Sequence, residues 1–159
     1  MPDPYRTREA SRMGWDAEGT HTALIVEDDN ELRALAAALL EETDLRVVEA
    51  YNAEEALHYL RHNAGEVVFL FSDVKLPGLM SGVDLARTVS LKWPWIKTVL
   101  TSGAPLEEDL DKALRQVRFM PKPWRALDVL VEAEKAVRSS QYETTVSHTD
   151  TEVVRALRA

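Results

Sequence analysis

Three consecutive carboxylates, Glu27, Asp28 and Asp29, follow a short apolar run near the start of the chain. Crowded carboxylates repel one another, and a bound divalent cation relieves that repulsion. Magnesium prefers hard oxygen ligands of this kind. A solvated loop in which Asp29 or Asn30 caps a helix would explain the same residues, and taken alone the acidic segment favours that explanation.

Three further side chains each follow a later apolar segment: Asp73, Ser102 and Lys122. An aspartate can ligate a metal, or it can act as a nucleophile that forms an acyl phosphate. A nearby hydroxyl can bond phosphate oxygens, and an ammonium fixed between two prolines can neutralise them. Singly, these residues are also typical of turns and solvated surface. Together with the acidic segment, they would supply metal ligands, nucleophile, hydroxyl and counter-charge to one site.

The apolar segments alternate with helical patterns along the chain. Predicted strands lie at 23–26, 45–50, 67–71, 96–101 and 117–120, and predicted helices at 32–40, 53–60, 83–91, 105–115 and from 127 onward. Such alternation favours a parallel sheet with helices on both faces, because right-handed crossovers carry each helix over the sheet. Ligands then bind beyond the carboxyl ends of the strands. The sequence therefore predicts an α/β, doubly wound, five-stranded domain with all four polar groups on one rim.

Composition limits the partners and the organisation of the chain. The 159 residues carry 19 basic and 27 acidic side chains, a formal charge of -8, which disfavours a nucleic-acid partner. No apolar run approaches the ~20 residues of a membrane span, and no secretory signal is evident, so a cytoplasmic protein is expected. Since there is no cysteine, a thiolate metal site is excluded. One domain is expected at 22–138, between a flexible extension at 1–21 and a tail at 139–159 whose end is weakly helical.

In this order, the four polar segments resemble the receiver domains of two-component response regulators, in particular single-domain, chemotaxis-regulator-like ones. The matching segments are IVEDD at 25–29, FSDVKLPG at 71–78, LTSG at 100–103 and MPKPW at 120–124. Four motifs in register at the predicted strand ends are more specific than any one of them. The resemblance covers about 22–138 and implies a flavodoxin-like fold with strand order 2-1-3-4-5.

The resemblance assigns the phosphoacceptor and the metal ligands. It implies that Asp73 accepts a phosphoryl group from a sensor histidine kinase or a histidine phosphotransfer protein. Glu27 and Asp28 would hold Mg2+ together with Asp73 and the backbone carbonyl of Val74. The domain would catalyse only its own phosphorylation and dephosphorylation, and would not be a conventional enzyme.

The resemblance also assigns a switch. Ser102 falls on the hydroxyl position that bonds the phosphoryl group after transfer, and Lys122 on the lysine that pairs with it. Phe119 occupies the position of the switch aromatic. The Lys122–Pro123 peptide bond would be cis, as proline permits.

Three departures from the family pattern limit what carries over. The loop at 77–82 is one residue longer than the usual Pro-Gly-x-x-Gly. Lys75 and Ala104 occupy the variable positions that tune water access to the phosphoryl group. Trp124 stands where phenylalanine is common.

The signal is expected to leave through the predicted fourth helix, fifth strand and fifth helix, because the chain has little room for an effector domain and would act as a stand-alone regulator. On the fifth helix, Val129, Ala133, Ala136 and Val137 lie outside the strictest core stripe of the pattern. We therefore expect a symmetric homodimer through this helix and the tail after Ser139. A monomer with a disordered tail is the alternative.

Other functions fit the residues less well. An aspartyl-nucleophile phosphatase usually has a second acid two residues after the nucleophile, where this chain has Lys75. A flavodoxin-like redox carrier needs a phosphate-binding loop after the first strand, where three carboxylates would repel the flavin phosphate. The main alternative is a degenerate receiver that acts as an interaction module without phosphorylation.

Overall fold

A five-stranded sheet forms the centre of the computed structural model, which describes residues 21–105 and 112–140. The strands are β1 (Thr22–Val26), β2 (Arg46–Ala50), β3 (Val67–Asp73), β4 (Lys97–Ser102) and β5 (Arg118–Pro121). The helices are α1 (Asn30–Glu41), α2 (Ala53–Asn63), α3 (Gly82–Lys92) and α4 (126–140), with 3-10 turns at Ala64–Glu66 and Lys112–Leu114. Neighbouring strands are parallel in the order β2-β1-β3-β4-β5, so the predicted fold and strand order are confirmed.

Several predicted segments lie largely or wholly outside the described residues. These are the N-terminal extension apart from His21, the tail after 140, and most of the predicted fourth helix. The described end of that helix is the 3-10 turn before β5. The predicted fifth helix is α4, and it continues past the predicted domain boundary at 138.

Strands β1 and β3 are buried along their whole length because helices cover both faces of the sheet. Side chains of β1 alternate between two core clusters, as the pleat of a strand requires. Ala23 and Ile25 pack in the cluster that includes residues of α1 and α4. Leu24 and Val26 pack in the cluster that includes residues of α2 and α3. The apolar strand patterns therefore place the polar residues that follow them at one edge.

The caps of the helices fix where the polar loops end. Asp29 caps α1, its carboxylate accepting the N–H of Glu31 at 2.9 Å and of Leu32 at 3.0 Å. Ser81 and Asp84 form a reciprocal capping box at the start of α3. Since the Asp29 carboxylate caps α1, Glu27 and Asp28 are the acids of the first loop that remain for a site at the edge of the sheet.

The expectation that Val129, Ala133, Ala136 and Val137 form an interaction face of the fifth helix is wrong. The first three are at most 2% exposed in α4, and Val137 packs against the same core cluster. Two alanines in this stripe let α4 lie close to the sheet, so small residues mark the core face here. The large apolar residues Leu127, 69% exposed, and Val131, 39% exposed, lie on the solvent side.

Within the two described ranges, no helix has the length and apolar character needed to cross a membrane.

Candidate functional site

Three carboxylates meet beyond the carboxyl ends of β1 and β3. Val26 pairs with Ser72 in the parallel register, so the residues that follow, Glu27 and Asp73, stand side by side. With Asp28, they offer oxygen atoms that all lie within 4.8 Å of one another. Glu27 is 6% exposed and Asp73 is 8% exposed, whereas Asp28 is open to solvent. An all-oxygen, partly open set of this kind fits Mg2+, which retains several waters.

The ammonium of Lys122 lies between the two buried carboxylates. Its Nζ donates to Oε1 of Glu27 at 2.8 Å and to Oδ2 of Asp73 at 2.9 Å. The backbone N–H of Lys122 donates to the carbonyl of Ser102 at 2.9 Å, and the following peptide bond to Pro123 is cis, as predicted. The loop after β5 therefore holds the ammonium against the acidic site.

The shared ammonium leaves the acidic site with excess negative charge. Burial is the largest influence on Glu27, and with the nearby charge of Asp73 it raises the pKa of Glu27, although hydrogen bonds from Lys122 and Asp29 oppose it. Burial would lower the pKa of Lys122, but its hydrogen bonds to both carboxylates outweigh burial and raise that pKa. One ammonium thus serves two acids, and a further cation would be stabilised here.

Ser102 lies on the same rim, but its hydroxyl is directed to its own loop. Its Oγ donates to the carbonyl of Ala104 at 2.7 Å and accepts the N–H of Ala104 at 3.2 Å. The structure therefore brings Ser102 to the edge next to Asp73 without a hydrogen bond between the two side chains among the described residues.

Phe119 is half-buried on β5 and packs beside a small apolar cluster that includes Val83 and Leu100. An open cavity of about 350 Å³ is lined by Phe119, Ser102 and Lys122, among others. The predicted switch residues are therefore neighbours across one cavity.

The predicted carbonyl ligand has another partner. The Val74 oxygen accepts the N–H of Gly82 at 2.8 Å. Metal ligation by this carbonyl would have to use its second lone pair.

Two residues at the site were missed by the sequence analysis. Arg33 of α1 donates from Nη1 to the carbonyl of Glu27 at 2.9 Å, and its Nε pairs with Glu49 of β2 at 3.4 Å. Nothing in the spacing of Arg33 indicates this contact. Gly82 appears in the sequence pattern only as the end of the loop at 77–82, but a Cβ at this position would lie 1.9 Å from the carbonyl oxygen of Asp73. The second glycine of the loop pattern was the available signal.

Trp124 is partly buried and packs against the core cluster that includes residues of α1 and α4. Its ring meets that of Phe71 edge-on, with the ring centroids 5.6 Å apart.

Comparisons with known proteins agree with the geometry. The response regulator receiver domain model matches residues 23–135, more than two thirds of the chain. Sensor kinase CckA of Brucella abortus (strain 2308) is 33% identical over 112 residues, which are 69% of this chain and 12% of that protein. Response regulator GtcR of Aneurinibacillus migulanus is 25% identical over 74% of this chain and 48% of that protein. The chain thus spans half or less of these two relatives.

The fold has a close match among solved structures. The signal receiver domain of an HD domain-containing protein from Pseudomonas fluorescens Pf-5 superposes with a TM-score of 0.69. The match covers 77% of this chain and 98% of that chain at 23% identity, which supports the fold alone. With the family model spanning β1 to α4 and all four motifs on one rim, the chain belongs to the family of response regulator receiver domains.

Proposed function

We propose that the chain accepts a phosphoryl group on Asp73 in a reaction that depends on Mg2+. A sensor histidine kinase or a histidine phosphotransfer protein would be the donor. The observation that carries the proposal is the environment of the buried Asp73 carboxylate, which lies within 4.8 Å of oxygen atoms of Glu27 and Asp28 and accepts a hydrogen bond from the Lys122 ammonium at 2.9 Å. A buried carboxylate with these neighbours is better suited to act as a nucleophile than a carboxylate that is solvated at the surface.

The chemistry requires charge compensation and little else. An oxygen of Asp73 would form a bond to phosphorus as the bond from phosphorus to the donor nitrogen breaks. Two anions approach each other in this step, and Lys122 would offset part of their repulsion. Mg2+ held by Glu27, Asp28 and Asp73 would supply the remaining positive charge. The Val74 carbonyl would join this set only through its second lone pair.

The proposed signal begins at Ser102. In the described state its hydroxyl bonds Ala104, so it must leave that partner to reach a phosphoryl oxygen. That movement would enlarge the cavity beside Phe119, and the half-buried ring would turn inward. A rearrangement between two states of similar free energy would carry the signal to the surface of β5.

Incubation with acetyl phosphate and MgCl2, followed by intact mass measurement, tests the proposal. We expect the mass of one phosphoryl group on the wild type and none on Asp73→Asn, since the amide keeps the shape but loses the nucleophilic charge. Undiminished labelling of Asp73→Asn would remove the central assignment. An unlabelled wild type would favour the interaction module that needs no phosphorylation.

Three expectations stay predictions. The structure offers no support for the homodimer, because three of the four α4 residues on which it depended are buried and the fourth, Val137, packs against the core. The relatives named above are longer than this chain, so they do not support action without an effector domain. The cytoplasmic location also remains to be tested.

A further inference from the structure

The longer loop after Asp73 is held by a side chain from another helix. Leu79 and Met80 donate their backbone N–H groups to the same atom, Oε1 of Glu54, at 2.9 Å and 3.0 Å. Glu54 lies in the first turn of α2, 25 residues before Leu79 in the chain. The contact therefore joins α2 to the loop between β3 and α3.

The loop backbone is shaped to receive a carboxylate. Gly78 has a φ of 98°, a left-handed conformation that favours glycine. Successive N–H groups beside such a residue form a concave anion-binding nest. A Cβ on Gly78 would lie 2.8 Å from Oε2 of Glu54, so the carboxylate fills the nest closely. Hydrogen bonds from its own backbone, Met80 and Leu79 outweigh slight burial and lower the pKa of Glu54, which is therefore ionised at neutral pH.

The other end of the loop is fixed against Asp73. Gly82 leaves no space for a Cβ over the Asp73 carbonyl, and its N–H bonds Val74. Between these ends, the N–H of Lys75 is directed at Oδ1 of Asp73, 3.4 Å away. The backbone from Asp73 to Gly82 is thus held at both ends, and near its start the amide of Lys75 is directed at the reacting carboxylate.

We propose that Glu54 is a positioning residue for the chemistry at Asp73. By holding the Leu79 and Met80 amides, it fixes the loop that aims the Lys75 N–H at the acceptor carboxylate and limits the access of water to the acyl phosphate. The inference rests on the proposed function, since it concerns the lifetime of the phosphoryl group on Asp73.

Two substitutions break the contact by different routes. Glu54→Ala removes the acceptor, and Gly78→Ala strains the backbone and places a methyl group against the carboxylate. Glu54→Gln keeps an oxygen acceptor without the charge, and Glu41→Ala removes a helical glutamate from the end of α1. All four variants are to be made in the full chain and phosphorylated with acetyl phosphate and Mg2+. After the donor is removed, intact mass gives the half-life of the phosphoryl group.

We expect Glu54→Ala and Gly78→Ala to shorten the half-life by about three- to tenfold, the range that corresponds to losing a hydrogen bond or two near the site. Glu54→Gln should fall between these variants and the wild type, and Glu41→Ala should match the wild type. Amide hydrogen exchange at Leu79 and Met80 should accelerate in Glu54→Ala and Gly78→Ala. Thermal unfolding of each variant separates a local effect from a general loss of stability.

The outcomes distinguish the two proposals. A wild type that is not labelled on Asp73 refutes the proposed function and this inference with it. If the wild type is labelled but the half-life in Glu54→Ala is unchanged, only the positioning role is refuted. The same holds if the loop amides exchange no faster, or if half-lives follow the unfolding temperatures of the variants rather than the loss of the acceptor.

Discussion

Individual side chains control the charge around Asp73. Glu27 and Asp73 are buried and share one ammonium, while Asp28 faces solvent. The exposed acid can therefore be removed without disturbing the buried pair. This separation makes the metal assignment testable one residue at a time.

Asp28→Ala should weaken Mg2+ binding by about tenfold or more, because two remaining carboxylates are a poor site for a cation that gives up its waters reluctantly. Isothermal titration calorimetry with MgCl2 measures the effect directly. Glu31→Ala is the matched control, since it removes a nearby acid outside the carboxylate cluster. Equal Mg2+ affinity in Asp28→Ala and the wild type would exclude Asp28 as a ligand.

Lys122→Ala should destabilise the metal-free protein by about 3 kcal/mol, at the lower end for breaking a buried pair because the lysine is partly exposed. Without the ammonium, the pKa of Glu27 rises further. A carboxyl whose pKa is raised by folding favours the fold at low pH, and that advantage is lost as pH rises through the folded value. The loss of unfolding free energy relative to the wild type should therefore be larger at pH 8 than at pH 5, and MgCl2 should reduce this loss. Thermal unfolding of both proteins at pH 5 and pH 8 measures this loss, and an equal loss at the two pH values would contradict the prediction.

The sequence predicted which residues meet at the site, because each follows an apolar strand and parallel strands end at one edge. It could not predict the contacts of Ser102 or of the Val74 carbonyl. These depend on local backbone geometry, namely the turn around Ala104 and the approach of Gly82. The spacing of motifs contains no information on either.

At the level of helices and strands, the acidic loop has two roles. Glu27 and Asp28 belong to the carboxylate cluster, and Asp29 caps α1. Asp29→Ala should lower the free energy of unfolding by about 1 kcal/mol, the usual cost of losing an N-cap. Mg2+ affinity should stay near that of the wild type, because Asp29 lies outside the carboxylate cluster. Chemical denaturation and calorimetry on this variant and on Asp28→Ala should give opposite patterns. A loss of Mg2+ affinity in Asp29→Ala would mean that the cap and the metal site are coupled.

Strands were easier to predict than the orientation of the last helix. The continuous apolar runs of β1 and β3 predict buried central strands, and both strands are indeed covered on both faces. In α4 the stripe facing the sheet contains Ala133 and Ala136, whereas larger apolar residues such as Leu127 face solvent. A pattern that ranks positions by size therefore selects the wrong face. Packing distance between helix and sheet, which the sequence does not state, decides the outcome.

For the molecule as a whole, Glu132 links α4 to the edge of the sheet that carries Phe119. Its carboxylate is buried and pairs with Lys97 of β4 at 3.2 Å, Arg118 of β5 at 3.3 Å and Lys135 of α4 at 3.4 Å. Burial would raise the pKa of Glu132, but these cations outweigh it and lower the pKa below its ordinary value. The ion pairs thus connect three elements at the end of the sheet opposite the metal site.

A carboxyl whose pKa is lowered by folding stabilises the fold above its unfolded pKa, and that contribution is lost as pH falls through the folded value. Glu132→Gln should therefore destabilise the protein at pH 7, by about 1–2 kcal/mol because the cations remain partly solvated. At a pH below the lowered pKa of Glu132, the wild-type carboxyl is itself protonated, and the two proteins should unfold at nearly the same denaturant concentration. Urea unfolding at pH 7 and at successively lower pH should show the difference shrinking as the Glu132 carboxyl becomes protonated. Because Glu134 pairs with Arg138 on the exposed side of α4, Glu134→Gln is the control and should change stability little at any pH. A constant difference between Glu132→Gln and the wild type across this range would show that Glu132 acts through packing rather than through its charge.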